Sequence, residues 1–398
     1  MTTLSATART THRPPTLART AVLALGTFAV GTDAFVVAGF LPAMAHSLHV
    51  SPATAGQSVT VFAIAYAVLA PVLATCTARL PRRTLLVAAL LVLGAANLLS
   101  ALAPNLPALL AARVLAAAGA AAYTPTAGAV GAALVRPELR ARALAVVIGG
   151  LTVATALGVP LGELAGRLLG WRSALGLVAA LCLLVALGVG LIMPQLPGNP
   201  RVPLRTRLAA VRRPGVLAVL PLTVLGMAAS YTVYAYSVPL LRAVGVGAGG
   251  VLPMLFLYGL GAVPGNLLAG WATDRFGAVP VLAAGYLGVA FSLALLGWAA
   301  AAHLSAPLLV AVLVLAWGAG TWTQTPPQQH RLIAAAPAHA PLVISLNASA
   351  IYLGIGAGTA LGGLTLGAGP AAVFLAGAAL AALAALLLLL LRLTGRRG

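Results

Sequence analysis

The sequence predicts an all-α membrane protein in which 12 transmembrane helices form two pseudo-symmetric six-helix bundles. Of its 398 residues, 61% are hydrophobic and only 7% are charged, against roughly 25% charged in a soluble domain. Long runs such as 85–103 and 371–391 contain no charge, and in lipid such runs satisfy their backbone polar groups only as helices. Arginine is also distributed very unequally between alternate connections, as expected for a multi-pass membrane protein.

Each predicted helix is an apolar run bounded by Pro, Gly or Arg. About 20 apolar residues are needed to cross the hydrocarbon core as a helix, and twelve runs meet that length. They lie at 21–42, 53–75, 84–103, 107–134, 143–166, 172–193, 215–240, 250–273, 279–301, 306–326, 342–366 and 370–391.

A polar connection rich in Pro and Arg divides the apolar sequence into halves of similar size. The predicted organisation is therefore two bundles with short polar flanks. It comprises a cytoplasmic tail at 1–20, a first bundle at 21–193, a cytoplasmic linker at 194–214, a second bundle at 215–392 and a cytoplasmic tail at 393–398.

The arginine distribution predicts the orientation. When the connections are numbered alternately, one side contains 19 of the 23 basic residues, while the other contains only Arg167, Arg172 and Arg242. By the positive-inside rule both termini are cytoplasmic, in an inner or plasma membrane.

The net charge of +19 does not indicate nucleic-acid binding, because that function needs a basic patch on a soluble surface. The sequence contains no Lys, so it cannot form an ATP-binding P-loop.

The halves resemble each other at an offset of 196 residues, which relates Arg79 to Arg275 and three glycines of the fifth predicted helix to three of the eleventh. Six helices per half make the repeats parallel, with a substrate site expected near the midplane between them.

Small residues recur every four positions along the fifth and the eleventh predicted helices, which favours close helix packing. A second interpretation is that these smooth surfaces let the halves move past each other. The stripes are Gly150, Ala154, Gly158, Gly162 and Gly166, and Ala350, Gly354, Gly358 and Gly362.

Asp33 lies about twelve residues into the first predicted helix, roughly 18 Å from its cytoplasmic end at ~1.5 Å per residue. A carboxylate at that depth costs at least ~2.5 kcal/mol by insertion scales, and such residues usually mark ion or proton paths. Arg113 is expected at a similar depth, where it would favour the ionised form of Asp33 while burial favours the neutral form. We therefore predict that Asp33 and Arg113 take part in proton coupling; a structural hydrogen bond is the alternative.

Glu163 precedes Arg167 by four residues near the outer end of the fifth predicted helix, a spacing suited to an ion pair. The alternative is a second titratable group reached from outside, which makes Glu163 a third candidate for proton coupling. Glu138 is expected to be a solvated loop charge, and Asp274 to lie at the cytoplasmic end of the eighth predicted helix.

The candidate substrate-binding residues are aromatic and amide side chains inside predicted helices. For the aromatic residues, a position at the membrane interface is the alternative. Pro326 and Pro327 are expected to break or end the tenth helix. No metal site and no cofactor are predicted. The substrate candidates are Tyr123, Tyr231, Tyr234, Trp322, Gln324 and Asn347.

Six segments along the chain form a family pattern: GTDAFVVAGFLP, TARLPRR, LLAARVLAAAG, GVPLGELAG, GWATDRFG and SLNASAIYLGIGAGTALGG. Over roughly residues 20–392 they resemble the major facilitator superfamily, specifically its twelve-span drug:proton antiporter branch of chloramphenicol and sugar efflux proteins.

The resemblance implies roles for several of these residues. Arg113 matches the family's helix-4 arginine, and Gly158, Pro160 and Gly162 resemble its helix-5 antiporter motif with Val159 inserted. Related proteins often carry the helix-1 acid where this chain has Ala34. The two gating loops are incomplete, since Ala78 and Pro81 replace an acid and a glycine in the first and the second lacks its final arginines. The matching loop residues are Arg79, Arg82, Arg83, Asp274, Arg275 and Gly277.

The function implied by the resemblance is proton-coupled export of small organic molecules or drugs by alternating access, without enzymatic activity. The expected partners are a small-molecule substrate, protons and the lipid bilayer, with no nucleic acid, and the chain is expected to be a monomer. A proton symporter or facilitator for sugars or other nutrients stays open, because fold alone does not set direction. A non-transporting receptor or membrane enzyme is disfavoured, since the sequence shows neither a soluble domain nor an intramembrane nucleophile.

Overall fold

The computed structural model describes residues 17–136, 139–198, 205, 209, 212–337 and 340–394. Over these ranges the chain is helical and contains no strand. Twelve segments of the described chain are long and apolar enough to cross a membrane, which confirms the predicted fold class. Glu138, most of the predicted N-terminal tail, part of the predicted linker and residues 395–398 lie outside the described residues.

The described residues form fifteen helices, nine of them in the second half of the chain. The first six are α1 (Leu17–Ser47), α2 (Pro52–Cys76), α3 (Arg82–Ala101), α4 (Leu106–Ala133), α5 (Arg140–Leu168) and α6 (Trp171–Ile192). The others are α7 (Pro214–Leu217), α8 (Leu220–Tyr234), α9 (Ser237–Ala243), α10 (Ala248–Phe276), α11 (Ala278–Ala301), α12 (Pro307–Thr323), α13 (Thr325–Ala335), α14 (Ala340–Leu366) and α15 (Pro370–Thr394).

Local sequence explains where the helices begin. The side chain of Ser51 accepts a hydrogen bond from the Thr54 amide at the start of α2, and Asn105 accepts one from Ala108 at the start of α4. Such N-caps satisfy amides that have no partner within the helix. Gly277 separates α10 from α11 with φ +85°, a conformation that glycine adopts at little cost.

Two predicted helices are broken in the structure, and prolines explain both corrections. The predicted helix 215–240 consists of α7, α8 and α9, each with a proline in its first turn. The predicted helix 306–326 breaks at Gln324, slightly before Pro326 and Pro327, but it does not end there. Both prolines lie in the first turn of α13, which continues to Ala335; a proline is tolerated there because that amide lacks an intrahelical acceptor.

The two bundles have equivalent packing. In the first, α1 packs on α5, α2 on α4, and α3 on α4 and α6. In the second, α8 packs on α14, α10 on α12, and α11 on α12 and α15. The pairs correspond one to one, so each half repeats the same arrangement, as the 196-residue offset predicts.

The glycine stripes lie inside the bundles. A Cβ on Gly158, Gly162 or Gly166 would meet atoms of α1, and a Cβ on Gly354, Gly358 or Gly362 would meet backbone atoms of α8. The stripes therefore hold α1 against α5 and α8 against α14, which confirms the packing interpretation. The interpretation that they form the sliding surface between the halves is wrong, because neither stripe faces the other bundle.

The bundles meet mainly through α2 with α14 and α5 with α10. These contacts extend to the end of the structure remote from the arginine-rich helix ends, where Gly363 lies close to Ala53. Near that same outer end, α1 also contacts α9. The two bundles are thus closed against each other at the outer end.

The sequence contains two cysteines. Cys76, the last residue of α2, is exposed at the arginine-rich end, whereas Cys182 in α6 is buried, and both are free thiols.

Candidate functional site

A buried ion pair joins α1 to α4 within the first bundle. Arg113 donates from Nη1 to Asp33 Oδ1 at 2.5 Å and from Nη2 to the Asp33 backbone oxygen at 3.3 Å. Asp33 is 0% exposed and Arg113 is 1% exposed. Among the described residues this is the only salt bridge, and the predicted proximity of the two residues is confirmed. The carboxylate does not face lipid.

The ion pair leaves one carboxylate oxygen without a partner. Asp33 Oδ2 and Arg113 Nε are buried and form no hydrogen bond, and a buried polar atom of this kind needs a functional or structural explanation. The guanidinium carbon of Arg113 lies 4.4 Å from the centre of the Phe62 ring, where a cation is stabilised by the ring's π face. Oδ2 is therefore a buried carboxylate oxygen that has no hydrogen-bond donor in this state.

A cavity of about 180 Å³ lies between the bundles, in the half nearer the arginine-rich end. Drug-sized ligand pockets start at roughly 300 Å³, so in this state the cavity accommodates a compound of one or two rings. The lining residues come from both halves: Phe35, Tyr66, Thr124, Ile148, Leu151, Thr152, Thr155, Ala262, Asn266, Trp322, Thr325, Gln329, Ala348, Ile351, Tyr352 and Ile355.

An aromatic layer closes the outer end of this cavity. Phe35 from the first bundle contacts Tyr231, Tyr234 and Trp322 of the second, with ring centroids 6.3 to 6.5 Å apart. Behind them Tyr258 packs 4.7 Å from Tyr234. The layer spans the interface between the bundles and separates the cavity from the outer end.

A second aromatic contact separates the cavity from the ion pair. Tyr66 of α2 and Tyr352 of α14 stack at 3.7 Å, and Phe62 lies 6.2 Å from Tyr352. Since Phe62 also contacts Arg113, a continuous row of rings connects the ion pair to the cavity wall. In this state Asp33 has no exposure to the cavity itself, because its side chain is 0% exposed.

The predicted substrate residues divide into three groups. Trp322 lines the cavity, and Tyr231 and Tyr234 belong to the aromatic layer. Tyr123 donates to the Leu23 carbonyl, Gln324 to the Thr321 carbonyl, and Asn347 accepts from Thr223. These last three are buried in contacts within one bundle, so the structure does not place them at the cavity.

Most cavity residues were not predicted, although the repeat contained a signal for some of them. Three lining pairs are related by the 196-residue offset: Tyr66 with Ala262, Thr152 with Ala348, and Thr155 with Ile351. Applying the offset to one member of these three pairs would therefore have indicated the other.

Glu163 is buried, and it makes no ion pair with Arg167 in the described part of the chain. Its Oε2 atom has no hydrogen-bond partner. It lines an outer pocket of about 330 Å³ with Arg167 of the same helix and Arg242 of α9. The predicted i,i+4 pair is thus absent, because the Glu163 side chain is directed into the protein while both arginines are exposed.

We expect Arg167→Ala to change the free energy of unfolding by less than about 0.5 kcal/mol, the usual range for an exposed side chain without specific contacts. Thermal unfolding of the purified variant in detergent measures this. A loss above about 1 kcal/mol would show that Arg167 and Glu163 do pair in the membrane.

The predicted gating loops lie at the arginine-rich end, and their arginines form no ion pair within the described ranges. The Arg82 amide donates to the Leu196 carbonyl at 2.9 Å, which attaches the start of the linker to α3. Arg82 Nη2 donates to the carbonyl of Ala78 at 3.3 Å, the residue that stands at the family's acidic position. Arg275 lies over the ring of its neighbour Phe276. A gating role for these residues stays a prediction.

Comparison with known proteins gives a consistent result. The family model described as Major Facilitator Superfamily matches residues 23–263. A chloramphenicol resistance protein of Streptomyces lividans is 34% identical over 354 residues, covering 87% of this chain and 88% of that protein. The uncharacterized MFS-type transporter YbcL of Bacillus subtilis (strain 168) is 30% identical over 344 residues, covering 86% and 87%. A D-xylose-proton symporter structure aligns with a TM-score of 0.75 at 17% identity, covering 93% of this chain and 96% of that one, which concerns the fold alone.

Proposed function

The chain belongs to the major facilitator superfamily, and from that premise we propose that it exports small organic molecules in exchange for protons. As a member of this family it is a multi-pass membrane transporter and not an enzyme. The observation that carries the proposal is the cavity at the arginine-rich end, separated by aromatic rings from a buried carboxylate with a free oxygen. If that end is cytoplasmic, as the positive-inside rule indicates, the cavity takes its substrate from inside the cell.

Alternating access supplies the transport cycle. In the state observed, the bundles are closed at the outer end and the cavity lies toward the arginine-rich end. Tilting of the bundles about the α2–α14 and α5–α10 contacts would separate the aromatic layer and release the substrate outward. The proton gradient would drive the cycle, and the difference in proton affinity of Asp33 between the two states would couple it to the bundle movement, since a ligand shifts a population only through differential binding.

Two carboxylates are placed for this exchange. Asp33 Oδ2 at the ion pair has no hydrogen-bond partner, and neither has the buried Oε2 of Glu163, a residue that lines the outer pocket with Arg167 and Arg242. We propose Asp33 as the coupling residue and Glu163 as a proton acceptor nearer the outer end. Protonation of Asp33 would leave the charge of Arg113 without its counter-ion, and this change in a buried site is large enough to favour a different packing of α1 and α4.

Inside-out membrane vesicles test the direction of transport. Respiration acidifies their lumen. The test compound is chloramphenicol, chosen because a chloramphenicol resistance protein of Streptomyces lividans is similar to this chain. We expect it to dissipate the pH gradient while it accumulates inside the vesicles. A protonophore should stop the accumulation, and vesicles without the protein supply the control. Uptake of substrate into right-side-out vesicles with an acidic exterior would instead establish proton symport and overturn the export proposal.

A further inference from the structure

Phe62 of α2 lies between the buried ion pair and the second bundle. The guanidinium carbon of Arg113 is 4.4 Å from the centre of its ring. The same ring packs with its centroid 6.2 Å from that of Tyr352, a residue of α14. Phe62 is only 2% exposed, and it is not among the described residues that line the central cavity. Its side chain thus contacts the ion pair and the bundle interface rather than the space for a substrate.

The part of α2 that carries Phe62 lies directly on α14. Tyr66, one helical turn further along α2, stacks on Tyr352 with the ring centroids 3.7 Å apart. A Cβ on Gly356 of α14 would come within 2.8 Å of the Ile64 side chain, so the two helices have no spare space between them here. Packed contacts of this kind switch between discrete arrangements and do not deform continuously. A displacement of Phe62 would therefore change the α2–α14 contact.

The charge of Asp33 determines how strongly Arg113 depends on this ring. While Asp33 is ionised, Arg113 donates to its carboxylate and to its backbone oxygen. Protonation of the carboxylate removes the counter-ion, whereas an arginine side chain stays charged. The Nε atom of Arg113 already lacks a hydrogen-bond partner. The π face of Phe62 then has to stabilise a buried cation, and cation–π attraction is largest where water is excluded.

We propose, on the basis of the proposed proton-coupled transport, that Phe62 is the positioning residue through which protonation of Asp33 changes the contact between the bundles. When Asp33 is protonated, Arg113 moves further onto the ring, the ring is displaced, and the α2–α14 contact at Tyr352 is released. When Asp33 is ionised, Arg113 returns to the carboxylate and the contact forms again. This role requires the π electrons of the ring as well as its volume.

Hydrogen–deuterium exchange of the purified full chain in lipid nanodiscs, read by mass spectrometry, tests this role without a substrate or a proton gradient. Asp33→Asn represents the protonated form, because its amide carries no charge. Peptides covering 52–60 and 358–366 report on the outer ends of α2 and α14. We expect Asp33→Asn to increase their exchange at least about threefold, since opening of the interface exposes amides that are protected in the observed state.

Phe62→Leu should remove most of this increase, because leucine is apolar but has no π face. The loss of a desolvated cation–π contact changes an equilibrium roughly 5- to 30-fold. Trifluorophenylalanine at position 62 keeps the ring shape and weakens only the π face. It should act in the same direction, and it replaces the leucine variant should that fail to fold.

Phe374→Leu is the matched control for the loss of a buried ring. Phe374 is 1% exposed and belongs to α15, which packs on α8, α11 and α14 of its own bundle. In this background the increase caused by Asp33→Asn should stay within about twofold of its original size, because distant sites act independently.

An undiminished effect of Asp33→Asn in both Phe62 variants would overturn the proposal and make Phe35, which also contacts the second bundle, the route to the interface. No effect of Asp33→Asn on the outer peptides, or an equal loss in Phe374→Leu, would overturn it as well. A chain that responds as expected but imports its substrate would contradict only the proposed export function. Export in exchange for protons with an undiminished effect in both Phe62 variants would contradict only the role of Phe62.

Discussion

Asp33→Asn is expected to abolish proton-driven transport, with a residual rate below about one hundredth of wild type. The amide cannot bind or release the proton, and Oδ2 of Asp33 is the only unpartnered carboxylate oxygen at the buried pair in the described structure. Counterflow of labelled against unlabelled substrate without a pH gradient should persist, because it requires only the bundle movement. The ratio of proton-driven transport to counterflow in proteoliposomes measures the effect.

A control is needed because Asp33→Asn leaves Arg113 charged and unpaired, which costs about 3–5 kcal/mol when one partner of a buried pair is removed. The double variant Asp33→Leu with Arg113→Leu removes both charges, and such replacement of a buried pair is often neutral for stability. We expect this variant to fold and still fail to couple. Proton-driven transport at the wild-type rate in either variant would move the coupling role elsewhere, and Glu163 would be the next candidate.

Gly150→Ala is expected to destabilise the first bundle by about 1–3 kcal/mol, the usual cost of overpacking. A Cβ at this position would overlap the backbone oxygen of Ala24 and approach Thr27 of α1, and backbone atoms cannot rotate away as a side chain can. The two helices would have to separate along the whole stripe. Thermal unfolding and the monodisperse fraction on size exclusion report the loss.

Gly149→Ala is the matched control for Gly150→Ala. It is the preceding residue of the same helix, and a Cβ there meets nothing within 4 Å. Alanine has the higher helix propensity, by up to about 1 kcal/mol, so this variant should be as stable as wild type or more so. If both variants behaved alike, the stripe would not be what holds α1 against α5.

The sequence was sufficient for the fold because its main signals are local or periodic. These signals are the twelve apolar runs, the unequal distribution of arginine and the 196-residue offset between the halves. Each reflects the way in which the chain crosses a bilayer, and the structure contains all twelve candidate spans. Asp33 and Arg113 could be placed at the same level from their depth, since helical rise is constant along a span, and their opposite charges suggested the pairing. The division of the predicted helix 215–240 into α7, α8 and α9 was not predicted, and the break in the predicted helix 306–326 lies at Gln324, slightly before the expected position. In both cases prolines within a long apolar run do not determine which helical turn is interrupted.

The cavity could not be derived in the same way, because depth along a helix does not fix the direction of a side chain. Tyr123 and Trp322 are both aromatic residues inside spans, yet Tyr123 is directed to α1 within its bundle and Trp322 toward the other bundle. The charge of Glu163 suggested a partner on its own helix, but the structure directs it inward. Such differences depend on the rotation of each helix about its axis, which packing determines.

The position of Cys76 has a practical consequence for observing this protein at work. A maleimide dye would attach at this single accessible thiol, at the end of the helix that contacts α14 near the opposite face of the membrane. Because α2 is one of the helices through which the bundles meet, movement of the bundles is expected to change the surroundings of the dye. The unmodified amino-acid sequence thus already contains a site for time-resolved fluorescence of the switching reaction.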